Sequence, residues 1–355
     1  MSKVILLAPT PPPVGGIATW AVRMMNADLK NGWEIELVDE KVIGDRQVFG
    51  DDNGRNLLTE LKRCFRIWRE LKKSLRDPEA TVVHSCIPSF TTSMMREYVC
   101  ARIAKRRNKK FIVHYHCTVP NTTKGRFGRF MLKKLCAKSD LIITLNSQTD
   151  EFLRSVTKTP FKMIPNFISA EELAESHEIR PRLETVLYVG GIVATKGVYD
   201  ILELAKRFPN IQFRLVGKSD AAVERFARHN GIDNAVFVGI KDHDGVREEL
   251  ANADAFLFMT YFRGEGFSIA LTEAMAAGLP CIVTDWAANR DMIGTEGGAV
   301  VGVKDVDAAE AALRSMFDPE IRRLQSDANI RKVSEKYSAS KVIDMYVDAY
   351  EQVTQ

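Results

Sequence analysis

Glu265 and Glu273 stand eight positions apart, the first followed by Gly266, Phe267 and Ser268, the second by Ala274-Met275-Ala276-Ala277-Gly278-Leu279-Pro280. A helix rises about 1.5 Å per residue, so carboxylates at this spacing lie roughly 10 Å apart. They cannot grip the same atoms, but they can hold two parts of one long ligand. Before them, Asp254-Ala255-Phe256-Leu257-Phe258-Met259 is a short apolar run that reads as a strand buried on both faces. Residues 269–277 are strong helix formers, closed by Gly278 with Pro280 beyond, and Cys281-Ile282-Val283 resumes as strand. Strand, loop, helix and strand make one unit of a parallel sheet. In such sheets the ligand crevice lies outside the carboxyl ends of the strands, so residues 264–268 are expected in it. The N–H groups of the coming helix then face an anion, for which phosphate is the natural choice.

A second phosphate element is expected at Tyr188-Val189-Gly190-Gly191-Ile192-Val193-Ala194-Thr195-Lys196-Gly197. Glycines at a strand end let backbone approach a ligand, and Lys196 can carry a point charge to the same diphosphate. A plain surface lysine is the alternative. In the first half, Pro11-Pro12-Pro13-Val14-Gly15-Gly16-Ile17 follows the opening strand and precedes a helix. The prolines stiffen this loop, and Gly15 and Gly16 permit close approach of backbone to a phosphate; a tight structural turn is the other reading. It is not G-x-G-x-x-G, although Asp39 stands where a dinucleotide fingerprint would place its acid. His114 and His116 close the apolar strand begun by Phe111-Ile112-Val113, and alternation along the strand predicts that they point to different sides.

The elements that must carry these residues repeat one grammar twice. Strands are expected at 3–7, 33–38, 81–84, 110–116, 141–145 and 162–164, and again at 185–189, 212–216, 235–238, 255–259, 280–284 and 298–301, with helical stretches between. At 355 residues the chain exceeds the usual limit of one core. The reading is therefore α/β with two Rossmann-like, doubly wound parallel-sheet domains: 1–168, a polar linker at 169–182, and 183–355, with a final helix near 340–353 that packs back on the first domain. The six cysteines are scattered without a C-x-x-C pair, which suits reduced thiols in a cytoplasm better than disulfides or a zinc site. The start runs directly into a strand, and no apolar stretch reaches 18 residues, so neither a signal peptide nor a membrane span is expected.

The Glu265–Glu273 stretch resembles the glutamate pair of retaining GT-B glycosyltransferases of family 4, also called glycosyl transferases group 1, in which an E-G-F-[GS] loop leads into an E-A-M-A-x-G-x-P helix. Ile164-Pro165-Asn166-Phe167 is similar to the segment that ends the first domain in that family. The resemblance implies the GT-B fold, two domains facing and closing over a cleft, and transfer of a sugar from a nucleotide-sugar to a lipid-linked or saccharide acceptor. Bacterial capsule, exopolysaccharide or O-antigen assembly is the implied setting. It assigns Glu265 to the donor sugar, Glu273 to the ribose, and His116 to the donor sugar through an H-x-H-G pattern in which Cys117 replaces the glycine. Gly15, Gly16, Gly191, Lys196, Gly217, Ile240, Gly266, Phe267 and Ser268 complete the donor-binding set. The family usually reads V-G-R where this chain has Gly191, which removes a bidentate phosphate clamp. Either Lys196 and the helix amides suffice, Arg263 substitutes, or turnover is weak. A GT-B epimerase or phosphorylase, and a catalytically silent nucleotide-sugar or lipid-binding protein, are the alternatives.

No cofactor and no metal is expected. Asp242-His243-Asp244 and Asp305-Val306-Asp307 mimic a metal-carrying D-x-D but fall in polar loops before helices, where they read as caps. Charge is uneven: residues 1–168 hold 29 Lys+Arg against 16 Asp+Glu, or +13, and the remainder 21 against 30, or −9, giving the net +4. Much of the positive charge lies in 57–76, 102–110 and 124–138. In 57–76 the apolar stripe Leu57, Leu61, Phe65, Trp68, Leu71 and Leu75 is flanked by seven basic residues. Such a surface is either drawn to an anionic membrane on its cytoplasmic side or merely solvated. Nucleic acid is not expected, since no aromatic platform or recognition-helix motif accompanies the cations.

Overall fold

The structure, a computed structural model, describes residues 2–12, 15–41 and 57–355. Pro13 and Val14 of the proline-rich loop lie outside the described residues. The chain divides into two compact units, Met1–Asn166 together with Ala339–Gln355, and Phe167–Ser338.

The first unit is a six-stranded parallel sheet of β1 (Ser2–Ala8), β2 (Trp33–Asp39), β3 (Ala80–Ile87), β4 (Lys110–Tyr115), β5 (Leu141–Thr144) and β6 (Phe161–Met163), in the order β2-β1-β3-β4-β5-β6. Its helices are α1 (Gly16–Met25), α2 (Leu57–Ser74), α3 (Thr91–Lys105), α4 (Val119–Thr122), α5 (Gly125–Cys136) and α6 (Ser147–Arg154). The strands are apolar on both sides because helices cover both sides. Ile5, Leu7, Val83, Phe111, Val113 and Ile142 pack against Ile67 and Leu71 of α2, Met94 and Cys100 of α3, and Leu132 and Leu135 of α5. Trp20 of α1 lies against His84, His114 and His116.

The second unit is also parallel: β7 (Thr185–Val189), β8 (Gln212–Val216), β9 (Ala235–Gly239), β10 (Ala255–Phe258), β11 (Cys281–Thr284) and β12 (Gly298–Val301), ordered β12-β11-β10-β7-β8-β9. Its helices are α7 (Val198–Arg207), α8 (Ala221–His229), α9 (His243–Ala251), α10 (Ile269–Ala276), α11 (Asn289–Ile293), α12 (Val306–Ser315) and α13 (Pro319–Lys336). Strand order reverses between β7 and β10, so the loops after those two neighbours flank the topological switch point, where doubly wound sheets bind ligands.

Each of the twelve strands falls on a run expected from sequence. The domain borders differ from the expected ones. The stretch 169–182, read as a linker, belongs to the second unit. Ser169 and Glu172 form a capping box, the Ala174 amide donates to the Ala276 carbonyl at 3.0 Å, and the buried Arg322 guanidinium bonds the Arg180 carbonyl. Polar composition had masked these backbone and side-chain bonds. The last helix, α14 (Ala339–Thr354), groups with the first unit, where Tyr346 and Tyr350 are fully buried beside Trp20 and Trp33.

Candidate active site

Lys196 sits in a one-turn 3-10 segment, Ala194–Lys196, between β7 and α7. The chain then turns through Gly197, whose φ of 73° is left-handed; a Cβ there would lie 1.9 Å from the Met259 carbonyl oxygen. Only glycine lets the β7 and β10 loops approach this closely. The Tyr261 amide donates to the Thr195 carbonyl at 3.0 Å and ties the two loops together. Lys196 Nζ consequently reaches Glu265 Oε2 at 2.5 Å and stands 4.9 Å from the centre of the Phe262 ring. The Thr260 hydroxyl lies 3.5 Å from the same carboxylate oxygen.

The loop is held on both sides of Glu265 by bonds from the segment between β11 and α11. The Gly266 carbonyl accepts from the Ala288 amide, and the Trp286 indole donates to the Phe262 carbonyl at 2.8 Å. The Phe267 side chain is buried edge-on against Tyr337, so its part in any ligand site is through backbone. Ser268 is the N-cap of α10, its hydroxyl accepting from the Leu271 amide at 3.2 Å. The first-turn amides of Ile269 and Ala270 have no intrahelical acceptor and give this end of α10 its positive dipole.

Glu273, two turns into the stretch, has different surroundings. Its carboxylate, Glu172 and His243 offer ligand atoms all within 4.8 Å of one another, and His243 Nε2 lies 3.0 Å from Glu172 Oε1. The two glutamates therefore stand in different settings, Glu265 beside Lys196 and Glu273 beside His243. His243 and Glu172 carried no sequence signal, being 30 and 101 positions from Glu273.

Gly191 is exposed; its carbonyl accepts from the Tyr188 hydroxyl at 2.9 Å, and a Cβ would meet nothing within 4 Å. No steric reason excludes a larger residue. Gly217, at φ 139°, stacks on the Gly190 carbonyl, which a Cβ would approach to 2.0 Å. Its glycine is required by loop packing. Ile240 follows β9 and is 74% exposed, and Arg263 is exposed as well. Asp242 and Asp305 cap α9 and α12 through the Gly245 and Ala308 amides.

In the first unit, Gly15 is the N-cap of α1 and Gly16 its first residue. Asp39 accepts from the Thr10 amide and hydroxyl and from the Lys41 amide, at 3.1, 2.7 and 2.8 Å. It is a loop staple. The expectation that His114 and His116 point to different sides is wrong: their ring centres are 3.8 Å apart. Residues two apart share a face of a strand. His84 bonds the Tyr350 hydroxyl at 2.8 Å and His114 at 3.3 Å, while Nε2 of His114 and of His116 have no partner. Burial depresses His84 and His116 to about 3 and His114 well below its usual range, so all three imidazoles are neutral at pH 7.

Among the described residues, His84, Cys86 and His114 form a second group of possible metal ligands. They fit a metal poorly. Both His84 nitrogens are engaged, and burial, with the charges of Glu40 and Glu97, pushes the Cys86 thiol far above its usual range. All six cysteines are free.

Two family models meet on this chain: Glycosyltransferase Family 4 matches residues 14–172, and Glycosyl transferases group 1 matches residues 169–333, which contain Lys196, Glu265 and Glu273. The chain belongs to the GT-B glycosyltransferases of family 4, group 1. Relatives of this glycosyltransferase include the processive diacylglycerol alpha-glucosyltransferase of Acholeplasma laidlawii, 23% identical over 70% of this chain and 81% of that one. The O-antigen chain mannosyltransferase C of Escherichia coli is 25% identical over 88% and 84%. A sucrose-phosphate synthase from Thermosynechococcus elongatus superposes with a TM-score of 0.82 at 17% identity, covering 99% of both chains. An Anabaena protein solved with UDP gives 0.75 at 11% identity, over 99% of this chain and 100% of that one. These two likenesses establish the fold.

Proposed function

We propose that this glycosyltransferase moves a sugar, with retention of anomeric configuration, from a nucleotide-sugar held by the Phe167–Ser338 unit to a lipid-linked or saccharide acceptor. The observation that carries the reading is the Lys196–Glu265 pair at the switch point beside the α10 amino terminus. A cation and helix amides converge there on the place a diphosphate would occupy. Lys196 and the Ile269 and Ala270 amides stabilise the departing diphosphate, and no metal is needed for that charge. Glu265, next to Lys196, supports the oxocarbenium-like centre electrostatically, and Glu273 with His243 receives the ribose. His116 is assigned to the donor sugar on the family resemblance, as a neutral imidazole.

The curated relatives named above act on diacylglycerol and on an O-antigen chain, which supports a membrane-linked or saccharide acceptor in a bacterial cell-surface glycan made on the cytoplasmic side. A thermal-shift screen of UDP-, GDP- and ADP-sugars tests the donor site, since a ligand at 100 times its Kd stabilises by about 2.7 kcal/mol. One nucleotide class raising Tm, with the shift lost in Lys196→Ala, supports the reading; no shift with any of them defeats it.

A further inference from the structure

The first unit carries a cluster of exposed apolar side chains among its described residues. Nine large hydrophobic residues of that unit are exposed among the described residues, and seven of them, Leu58, Leu61, Phe65, Phe90, Met95, Phe127 and Phe130, fall on the beginnings of three helices. Those helices are neighbours: α3 packs against both α2 and α5. Each follows a strand of the same parallel sheet, so their amino-terminal halves emerge together at its carboxyl edge. Seven of nine at one edge is a patch, not scattered surface.

The expected apolar stripe of α2 splits accordingly. Leu71 and Leu75 are core, whereas Leu61 and Phe65 stand in solvent with Leu58. On α5, Phe127 and Phe130 are 57% and 50% exposed and stack on one another, with Lys134 5.4 Å from the centre of the Phe130 ring. Exposed Lys124, Arg126, Arg129, Lys133 and Lys134 surround them, and no acid occurs from Lys124 to Lys138. Exposed Lys62 and Arg69 do the same on α2.

We propose that this patch docks the enzyme on an anionic lipid bilayer, Phe127 and Phe130 entering the headgroup–acyl boundary while the cations of α2 and α5 lie against the headgroups. Charge complementarity selects this occupant. Aromatic and aliphatic side chains gain from an apolar layer, and lysine and arginine gain from the anions above it. A second copy of the chain would set the cations of α5 against those of its partner. Nucleic acid would satisfy the cations but leave Leu58, Leu61 and Met95 wet. The docking names where a lipid-linked acceptor is met and so rests on the proposed reaction for its purpose, but it is read without turnover.

The full chain is floated with phosphatidylcholine vesicles, with and without 30 mol% phosphatidylglycerol (about one lipid in three, enough to set a negative surface potential), at low and high salt, and no donor is added. Wild type is expected on the anionic vesicles at low salt and in the soluble fraction with the neutral ones. Phe127→Ser/Phe130→Ser and Arg126→Gln/Arg129→Gln/Lys133→Gln should each lower the bound-to-free ratio at least tenfold, with unchanged circular dichroism; Leu324→Ser, at an exposed position of the second unit, should bind as wild type. Wild type absent from anionic vesicles, or both patch variants bound as tightly as wild type, overturns the proposal. So does a dimer in sedimentation that the phenylalanine variant dissociates. A nucleotide-sugar thermal shift that persists in the patch variants separates failure of docking from failure of the donor site.

Discussion

Lys196 Nζ and Glu265 Oε2 are 2.5 Å apart, although the two residues come from loops after different strands and are separated by 69 positions. Gly197 makes the contact possible, because its left-handed backbone leaves room for the Met259 carbonyl. Both partners are mostly buried, at 20% and 12% side-chain exposure, so neither is an ordinary surface charge. Removing one partner strands the other in a partly desolvated site.

Lys196→Ala and Glu265→Gln should therefore each slow transfer at least tenfold, a loss of about 1.4 kcal/mol of transition-state stabilisation. The two should differ in binding. Lys196→Ala weakens nucleoside diphosphate affinity in titration calorimetry, whereas Glu265→Gln leaves it near wild type. Equal affinities in wild type and Lys196→Ala would remove Lys196 from the diphosphate.

Gly191→Arg tests the departure from the family pattern. The position is exposed, open around the Cβ and free of left-handed backbone, so stability should stay within about 0.5 kcal/mol. A guanidinium there restores a bidentate phosphate clamp, and kcat/KM for the nucleotide-sugar should rise several-fold, on the order of 1 kcal/mol. A fall in kcat/KM would mean that Gly191 itself is required.

Gly197→Ala should be severe. Left-handed strain and a Cβ 1.9 Å from a carbonyl oxygen cannot both be relieved without parting the β7 and β10 loops. A loss of at least about 2 kcal/mol in urea unfolding is expected, together with loss of nucleotide binding. Wild-type binding in a stable variant would contradict the account of the loop approach.

The histidine cluster sets a pH dependence of stability. His84 and His116 are depressed to about 3, so below about pH 6.5 the unfolded chain takes up protons that the folded chain refuses. The contribution of each is complete above pH 6.5 and shrinks as pH falls toward 3, by up to about 1.4 kcal/mol per pH unit. His116→Asn isolates one imidazole: its stability deficit relative to wild type should narrow between pH 7 and pH 5. A constant difference would show that His116 titrates normally.

Much of the fold was legible because a doubly wound sheet announces itself in short apolar runs bounded by loops, and all twelve such runs became strands. The positions of Lys196 and Glu265 in loops that follow strands, and of Ser268 at a helix start, were legible for the same reason. What escaped was contact between distant segments. His243 and Glu172 meet Glu273 across three separate stretches, and Tyr350 reaches His84 from a helix 266 positions away. Neither pairing has a periodicity to betray it. The polar composition of 169–182 hid bonds made through backbone and capping, which hydropathy does not register.

The most direct measurement is the anomeric configuration of the product. Proton NMR of the purified glycoside, formed from the nucleotide-sugar that gives the largest thermal shift and a short-chain acceptor, reads the coupling at the transferred C1. Retention is expected: the product carries the configuration of the donor, with release of the nucleoside diphosphate in equal amount and at least tenfold less of both from Glu265→Gln. A product of inverted configuration would contradict it.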